Sequence, residues 1–378
     1  MSSAWLDALD RQAALRDKAG LRRELRPHGP AGDVVDLAGN DYLGLARHPA
    51  VISAATAALE SYGLGATGSR LVRGSTDAHD ELEWALGEWL GTETALVYSS
   101  GYLANLGAVK ALTGPQTVVL SDRHNHASIV DGCRLAAAGR TVVYPHCDVA
   151  AVRHALAEHR SAVVVTESVF SVDGDLAPLR ELHEVCRAHG ALLLVDDAHA
   201  VGVLGPHGAG GVAAAGLAGA PDVVVTATLS KAFGAAGGVI AGPAQLRRHL
   251  VDTGRTFIYD TALPPAVAAG ALAALDVLRD GEDLRRELVS RAGFAVSRLR
   301  EADLEVPEPA GGVLSVTAPS AEAALAWAAS CRDSGVAVGC FRPPSTPDSR
   351  SRLRLTINAG VERAEFERAI EVIVKERP

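Results

Sequence analysis

A lysine and an aspartate, each placed after an apolar run, suggest covalent chemistry on a small molecule in this 378-residue chain. Asp196 follows the run 191–195, and Lys231 lies a few residues after the run 223–226. Open α/β sheets bind ligands outside the carboxyl ends of their strands, so one pocket could hold both side chains. A desolvated lysine amine suits nucleophilic and base catalysis. Taken alone, however, such an aspartate is usually a helix cap or turn residue and a loop lysine is usually solvated.

Short apolar runs predict the strands that would position these two residues. They cover residues 95–98, 118–120, 142–144, 162–166, 192–195, 223–226 and 238–241. Most are separated by helical periodicity, for example over 176–189. This alternation predicts an α/β fold with a mostly parallel seven-stranded sheet and helices on both faces. The last two runs are too close for a crossover helix, so we expect the sheet to turn back antiparallel at that edge.

The chain is longer than the roughly 250 to 300 residues that one core usually supports, which predicts a large domain and a small one. We expect an N-terminal helix (5–25) and arm over 1–39, a large α/β domain over 40–275 and a small C-terminal α+β domain over 276–378. In the last, apolar patterns predict strands near 313–316, 336–339 and 352–357, a helix near 321–333 and a final helix.

Composition excludes several classes of partner. The net charge of −9 argues against nucleic-acid or anionic-membrane binding, which needs a clustered basic face. No apolar run approaches the roughly 18 residues of a membrane helix. The five cysteines form no C-x-x-C pair, and no signal peptide is evident, so we expect a cytoplasmic protein without disulfides.

Two short motifs have competing interpretations. Residues 63–68 (GLGATG) match the dinucleotide fingerprint, but helix-like residues precede them where a strand is required, so we interpret them as a flexible loop near the active site. His124 and His126, with His146 and Cys147, could form part of a metal site. Their spacing fixes no complete ligand set, so we expect no metal and favour a histidine at a helix start.

Five motifs occur in a characteristic order. They are residues 40–44 (NDYLG), 125–128 (NHAS), 167–171 (ESVFS), 195–199 (VDDAH) and 228–231 (TLSK). From about residue 6 to the C-terminus, the chain resembles the α-oxoamine synthases, a branch of the fold-type I enzymes that use pyridoxal 5′-phosphate (PLP). The resemblance implies PLP as cofactor and a homodimer with active sites at the subunit interface.

The resemblance implies catalytic roles for four matched residues. Lys231 would bond to PLP and then act as the base at the substrate's α-carbon, and Asp196 would face the pyridine nitrogen. An ion pair at about 4 Å is worth roughly 4 kcal/mol at an effective dielectric of about 20, enough to keep that nitrogen protonated. His126 would stack on the ring, and His199 would hydrogen-bond its phenolic oxygen.

Further residues would hold the cofactor. The resemblance places the phosphate on the backbone amides of Gly101 and Tyr102, where a helix N-terminus favours anions, with Thr228 adding a hydroxyl. Ser171 is a further expected cofactor contact, and Thr261 would reach the phosphate of the partner subunit.

The substrate-binding residues are expected elsewhere in the chain. Arg354 would bind the amino acid's carboxylate through its planar fork, with Asn40 beside it. Arg22 resembles an arginine placed near the acyl donor, although Arg23 and Arg26 are alternatives.

Short sequence motifs distinguish the branches of this family. Residues 65–72 (GATGSRLV), 340–347 (CFRPPSTP) and 352–356 (RLRLT) resemble the branch that joins L-alanine to pimeloyl-CoA or a pimeloyl-carrier protein in biotin synthesis. Residues 74–79 (GSTDAH) instead resemble the branch that uses glycine and acetyl-CoA. We therefore expect the first reaction and keep the second as the alternative.

Overall fold

The structure is a computed structural model that describes residues 3–30, 32, 34–136, 138–343, 345–346 and 348–378. Its strands are β1 (Val35–Leu37), β2 (Thr94–Tyr98), β3 (Val118–Asp122), β4 (Arg140–Tyr144), β5 (Ala162–Glu167), β6 (Leu192–Asp196), β7 (Val223–Thr228), β8 (Gly238–Gly242), β9 (Val313–Thr317), β10 (Val336–Phe341) and β11 (Arg352–Thr356). Its α-helices are α1 (Ala4–Lys18), α2 (Pro49–Tyr62), α3 (Asp77–Leu90), α4 (Gly101–Ala111), α5 (Ala127–Leu135), α6 (Val149–Ala157), α7 (Leu179–Ala188), α8 (Gly211–Ala214), α9 (Ala244–Thr253), α10 (Arg255–Ile258), α11 (Pro265–Arg279), α12 (Glu282–Glu301), α13 (Ala321–Asp333) and α14 (Arg363–Lys375).

The larger sheet has seven strands in the order β2-β8-β7-β6-β5-β3-β4. All neighbours are parallel except β8, which is antiparallel to both β2 and β7. Each predicted run forms one of these strands, so the predicted α/β sheet is confirmed. The antiparallel return is also confirmed, but its predicted place at the edge is wrong, because β2 pairs with the outer side of β8.

Helices bury both faces of this sheet. Along β6, Leu193 and Val195 pack into one apolar cluster, whereas Leu194 between them packs into the other. Alternate side chains of a strand point to opposite faces, so both faces of this central strand are covered. The carboxyl ends of β5, β6 and β7 therefore open at one edge of a buried sheet, where the loops that follow them can form a site.

The smaller sheet has the order β1-β10-β11-β9. Strands β9, β10 and β11 are antiparallel, and β1 joins as a parallel strand through the pairing of Val35 with Val336. The β1 strand thus brings part of the predicted N-terminal arm into the small sheet, and α11 runs through the predicted boundary at 275/276. The domain boundaries remain predictions.

Two predicted helices are shorter than expected. The first ends at Lys18 rather than near residue 25, because Gly20 takes a positive φ of 65° and the Leu21 amide turns back to the carbonyl of Arg16. The other begins at Leu179 rather than 176, directly after Pro178. Among the described residues, no helix combines the length and apolar character needed to cross a membrane.

Candidate active site

Lys231 lies in the loop between β7 and β8, at the carboxyl edge of the large sheet. Its Nζ atom is 2.7 Å from Nε2 of His199. Burial lowers the pKa of Lys231 to about 8, although the carboxylates of Asp196 and Glu167 oppose this shift, and the positive charge of Arg354 adds to it. An amine with such a pKa is partly unprotonated near neutral pH and can act as a nucleophile or a base.

His199 follows β6 and is buried against Lys231. Its second ring nitrogen, Nδ1, lies 2.6 Å from the hydroxyl of Tyr42, another buried residue. Burial lowers the pKa of His199 well below its usual value, and the positive charges of Lys231 and Arg354 lower it further. The imidazole is therefore neutral, with one nitrogen that donates and one that accepts.

Asp196 is the last residue of β6, and its carboxylate is held on both oxygens. Oδ1 accepts a hydrogen bond from the Ala198 amide at 3.0 Å, and Oδ2 accepts one from Asn105 Nδ2 at 2.7 Å. Asn105 is itself fixed, because its Oδ1 accepts from the Thr226 hydroxyl at 2.6 Å. Asp196 is thus a buried carboxylate fixed by hydrogen bonds, and it acts electrostatically on Lys231.

His126 caps the N-terminus of α5, and its Nδ1 accepts from the Ser128 amide at 3.2 Å. The Ser128 hydroxyl lies 2.7 Å from the same nitrogen and accepts from Asn105 at 2.9 Å. Burial lowers the pKa of His126; the carboxylate of Asp196 opposes that shift and the charge of Lys231 adds to it. Asn105 therefore connects the supports of His126 and Asp196.

Arg354 comes from β11 of the small sheet and reaches the edge of the large one. Its Nε donates to the carbonyl of Ser171 at 2.8 Å, and its Nη2 donates to Oδ1 of Asn40 at 2.9 Å. The Ser171 amide in turn donates to the buried carboxylate of Glu167 at 3.2 Å. We call Lys231, His199, Asp196, His126 and Arg354 the Lys231 cluster.

The start of α4 packs closely against Thr228 and forms a candidate anion-binding site. Helix α4 begins at Gly101, and Ser100 caps it by accepting from the Leu103 amide at 3.2 Å. A Cβ atom on Gly101 would lie 2.9 Å from the Cβ of Thr228, so only glycine fits. The first amides of the helix, which include those of Gly101 and Tyr102, have no acceptor within the helix and can bind an anion beside the Thr228 hydroxyl.

Two predicted site residues lie apart from the cluster. Arg22 is exposed in the segment after α1, and its Nε is 4.0 Å from Asp17 Oδ1. It lines a groove of about 660 Å³ that Arg342 also lines, and the Arg342 guanidinium donates to the carbonyl of Gly20. Thr261 is exposed in the loop before α11, and no hydrogen bond among the described residues joins it to the cluster. Residues Pro344 and Pro347 of the 340–347 motif lie outside the described residues.

His146, a possible metal ligand in the sequence, belongs to an ion-pair network with two aspartates. His146 bonds Asp122 through Nδ1 at 2.9 Å and Asp175 through Nε2 at 2.8 Å, and His124 stacks on its ring at 3.8 Å. Ligand atoms of Asp122, His146 and Cys147 lie within 4.8 Å of one another, close enough for a cation. Burial opposes a charge on His146, but the two aspartate bonds raise its pKa to about 12. At neutral pH His146 is therefore a cation paired with both carboxylates.

Sequence reasoning gave no role to Asn105, Tyr42 or Ser128, which position the cluster. Asn105 had a usable signal, because it is the one amide side chain in the helix GYLANLGAVKA, whose other residues are small or apolar apart from Tyr102 and Lys110. Tyr42 and Ser128 belong to motifs in which other residues, Asn40 and His126, were assigned the functional roles. Their contacts join parts of the chain far apart in sequence, which spacing cannot reveal.

The sequence profile of the class I and II aminotransferases matches residues 32–373. The chain therefore belongs to this family, as its large sheet and the lysine at the sheet edge also indicate.

The chain is also similar to relatives whose function is named. The chain is 53% identical over 372 residues to an 8-amino-7-oxononanoate synthase of Mycolicibacterium gilvum, covering 98% of this chain and 96% of that protein. It is 55% identical over 375 residues to the protein of the same name from Mycolicibacterium paratuberculosis, covering 98% and 95%.

Solved structures share the fold. A serine palmitoyltransferase from S. paucimobilis that holds PLP and myriocin matches with a TM-score of 0.91 and 30% identity, covering 99% of this chain and 97% of that one. An 8-amino-7-oxononanoate synthase from Francisella tularensis matches with a TM-score of 0.78 and 27% identity, covering 91% and 97%.

The residues of the site fit PLP, the cofactor that the family implies. The cofactor needs an amine for its aldehyde, a carboxylate for its ring nitrogen and amides for its phosphate. Lys231, Asp196 and the start of α4 provide these groups. A buried Glu167 oxygen, Oε1, has no hydrogen-bond partner among the described residues, and Glu167 interacts electrostatically with Lys231. Such an unpaired polar atom is expected where a polar ligand completes a site.

Proposed function

We propose that this chain joins L-alanine to a pimeloyl thioester and so makes 8-amino-7-oxononanoate for biotin synthesis. The class of reaction rests on one observation, the buried Lys231 amine among His199, Asp196 and Arg354. The choice of substrates rests on the relatives, which share more than half of their residues with this chain over nearly its whole length. The reaction releases carbon dioxide and the free thiol.

When bound, PLP supplies a cationic ring that accepts the electrons of bonds breaking at the amino acid's α-carbon. Asp196 keeps the ring nitrogen protonated, because its fixed carboxylate favours the cation. His126 would lie against the ring, and His199 would hydrogen-bond its phenolic oxygen. These residues set the charge and the orientation of the cofactor.

Lys231 holds the cofactor and then moves the proton of the α-carbon. Its pKa of about 8 leaves a useful fraction of the amine unprotonated near neutral pH, so it can take that proton as a base. The α-carbon then forms a bond to the acyl carbonyl as the carbon–sulfur bond breaks. The bond to the carboxylate breaks next, and a proton returns to the α-carbon.

Arg354 binds the carboxylate of alanine before that group leaves. Its guanidinium is already held in the site by Asn40 and the Ser171 carbonyl. A fixed guanidinium is well suited to a carboxylate, because its planar fork matches the two oxygens. Asn40 is therefore both a support for Arg354 and a second substrate contact.

The phosphate and the acyl donor would bind on either side of this centre. Gly101, Tyr102 and Thr228 bind the phosphate, with Ser171 as a further cofactor contact. We place Arg22 at the acyl donor, CoA or a carrier protein, because the donor is anionic and the groove beside Arg22 is rich in arginine.

We further propose a homodimer with active sites at the subunit interface, located in the cytoplasm. The support is an exposed apolar surface, the glycine-loop patch, formed by Leu64, Leu71, Val72 and Tyr259, which are 84%, 53%, 82% and 70% exposed. Its segments are joined by the Ala262 amide, which donates to the Gly68 carbonyl at 3.0 Å. Thr261 lies within this surface, where a partner subunit could meet it. The five cysteines are unpaired, as in a reducing compartment.

A matched assay of thiol release tests the substrates. The purified protein, loaded with PLP, is given L-alanine with pimeloyl-CoA or glycine with acetyl-CoA. We expect kcat/KM to be at least about tenfold higher for the alanine pair, since even one methylene changes selectivity by roughly 10- to 200-fold. Lys231→Ala should release no thiol above background. Faster turnover of glycine with acetyl-CoA would contradict the proposed substrates.

A further inference from the structure

Hydrogen bonds connect Lys231 to Arg354 through three side chains from different parts of the fold. His199 bonds Lys231 through Nε2 at 2.7 Å and Tyr42 through Nδ1 at 2.6 Å. The Tyr42 hydroxyl donates to Oδ1 of Asn40 at 3.3 Å, and that oxygen also accepts from Arg354 at 2.9 Å. Tyr42 thus lies between the histidine beside the reactive lysine and the residue proposed to bind the substrate's carboxylate.

The donors and acceptors decide which nitrogen of His199 carries its proton. An ammonium on Lys231 can only donate, so Nε2 of the neutral His199 accepts and Nδ1 carries the proton. Nδ1 then donates to the Tyr42 oxygen, and the Tyr42 hydroxyl donates onward to Asn40. In this arrangement each of these hydrogen bonds has one donor and one acceptor.

Cofactor binding requires the opposite arrangement. In the proposed function, on which this inference rests, His199 bonds the phenolic oxygen of a cofactor attached to Lys231. That oxygen is an acceptor, so Nε2 must now carry the proton and Nδ1 must accept. A hydroxyl can serve both arrangements, because it can accept in one and donate in the other.

We propose that Tyr42 is a positioning residue whose hydroxyl partners Nδ1 of His199 in both arrangements and thereby tunes the binding and titration of the cofactor on Lys231.

The small sheet holds the Tyr42 hydroxyl in place. Tyr42 is fully buried, and its carbonyl accepts from the Ala359 amide, just beyond β11, at 2.8 Å. Its ring lies against Gly312, just before β9, where a Cβ atom would come within 2.3 Å of the ring. The phenol therefore cannot swing away from His199 without displacing the backbone of the small sheet.

Other charges face the same histidine and lysine. Asp196 and Glu167 act on Lys231 from the ends of β6 and β5, and Arg354 acts on both residues from β11. His126, before α5, also acts on His199. All of these groups remain in a Tyr42→Phe variant, so a change in titration reports the hydroxyl alone.

The test compares Tyr42→Phe with Tyr98→Phe in the full-length protein. The buried Tyr98 packs on Phe257, and its hydroxyl has no hydrogen-bond partner among the described residues, so its loss should change little. For Tyr42→Phe we expect about tenfold weaker PLP binding, since a buried nitrogen loses its partner. The pH midpoint of the visible band of lysine-bound PLP should rise, because His199 becomes a weaker donor. Tyr98→Phe should match the wild type in both measurements.

The outcomes separate this inference from the proposed function. The role of Tyr42 would be overturned if the PLP affinity of Tyr42→Phe stayed within about twofold of wild type and its midpoint stayed within about a tenth of a pH unit. So would lower thermal stability with an unchanged midpoint, which indicates packing alone. A 3-fluorotyrosine at position 42, a stronger donor, should lower the midpoint and gives an independent test if Tyr42→Phe fails to fold. A wild-type protein that binds no PLP would instead refute the proposed function.

Discussion

The Lys231 cluster and the glycine-loop patch differ in burial: the side chains of the cluster are packed within one chain, whereas those of the patch are exposed. In the cluster, folding alone brings β6, the β7–β8 loop, the start of α5 and β11 together, and the side chains are buried and hydrogen-bonded. In the patch, apolar side chains such as Val72 stand in solvent. Folding of one chain is therefore enough to assemble the Lys231 cluster. The same chain leaves an apolar surface that we attribute to association with a second copy.

Breaking the cluster at Arg354 should have a larger effect than breaking the patch. Arg354→Ala should lower kcat/KM for L-alanine by about 100-fold or more, since a charge-assisted bond to a carboxylate contributes on the order of 3 kcal/mol. Arg354→Lys should be intermediate, because it keeps the charge but loses the planar fork. Steady-state kinetics with varied alanine would measure both changes.

Arg350→Ala is the matched control. Arg350 lies just before β11, but its guanidinium is half exposed and pairs with Glu305. Its removal should leave kcat/KM within about twofold, as expected for an exposed ion pair. An equal loss in Arg350→Ala and Arg354→Ala, or an Arg354→Ala effect confined to the acyl donor, would refute the assignment of Arg354 to the amino acid's carboxylate.

The sequence predicted the strands of the large sheet because their apolar runs are continuous and well separated. It predicted Lys231, Asp196, His126 and His199 through ordered motifs, and the structure places these residues together. It did not predict the support from Asn105, Tyr42 and Ser128. These contacts depend on which helix face and which loop meet in three dimensions, and local periodicity carries no information on that.

The errors in the sequence predictions also have identifiable physical causes. The position of β8 inside the sheet depends on its pairing with β2, a strand that precedes it by more than a hundred residues. The early end of α1 depends on the conformation of Gly20, since the apolar spacing continues beyond it. Arg22 and Thr261 lie away from Lys231 within one chain, so their roles depend on association or on the acyl donor.

A smaller effect is expected from breaking the patch. Val72→Asp should shift the protein from dimer to monomer in light scattering, because a buried charge opposes an apolar interface. PLP binding should weaken by several-fold at most, since the Lys231 cluster remains intact within each chain.

Val289→Asp provides the control for this comparison. Val289 is 70% exposed on α12, which contributes no residue to the patch, so the variant should keep the wild-type mass. A monomeric wild-type protein, or a Val72→Asp variant that remains dimeric, would contradict the role of the patch in association.

The most direct test of the account is to trap PLP on the protein with borohydride and map the modified peptide. The chain offers three other lysines, Lys18, Lys110 and Lys375, as internal controls. We predict a single modification at Lys231, formed faster as the pH rises through about 8, because its lowered pKa exposes the free amine there. Modification spread over the other lysines, or none at Lys231, would contradict the central claim.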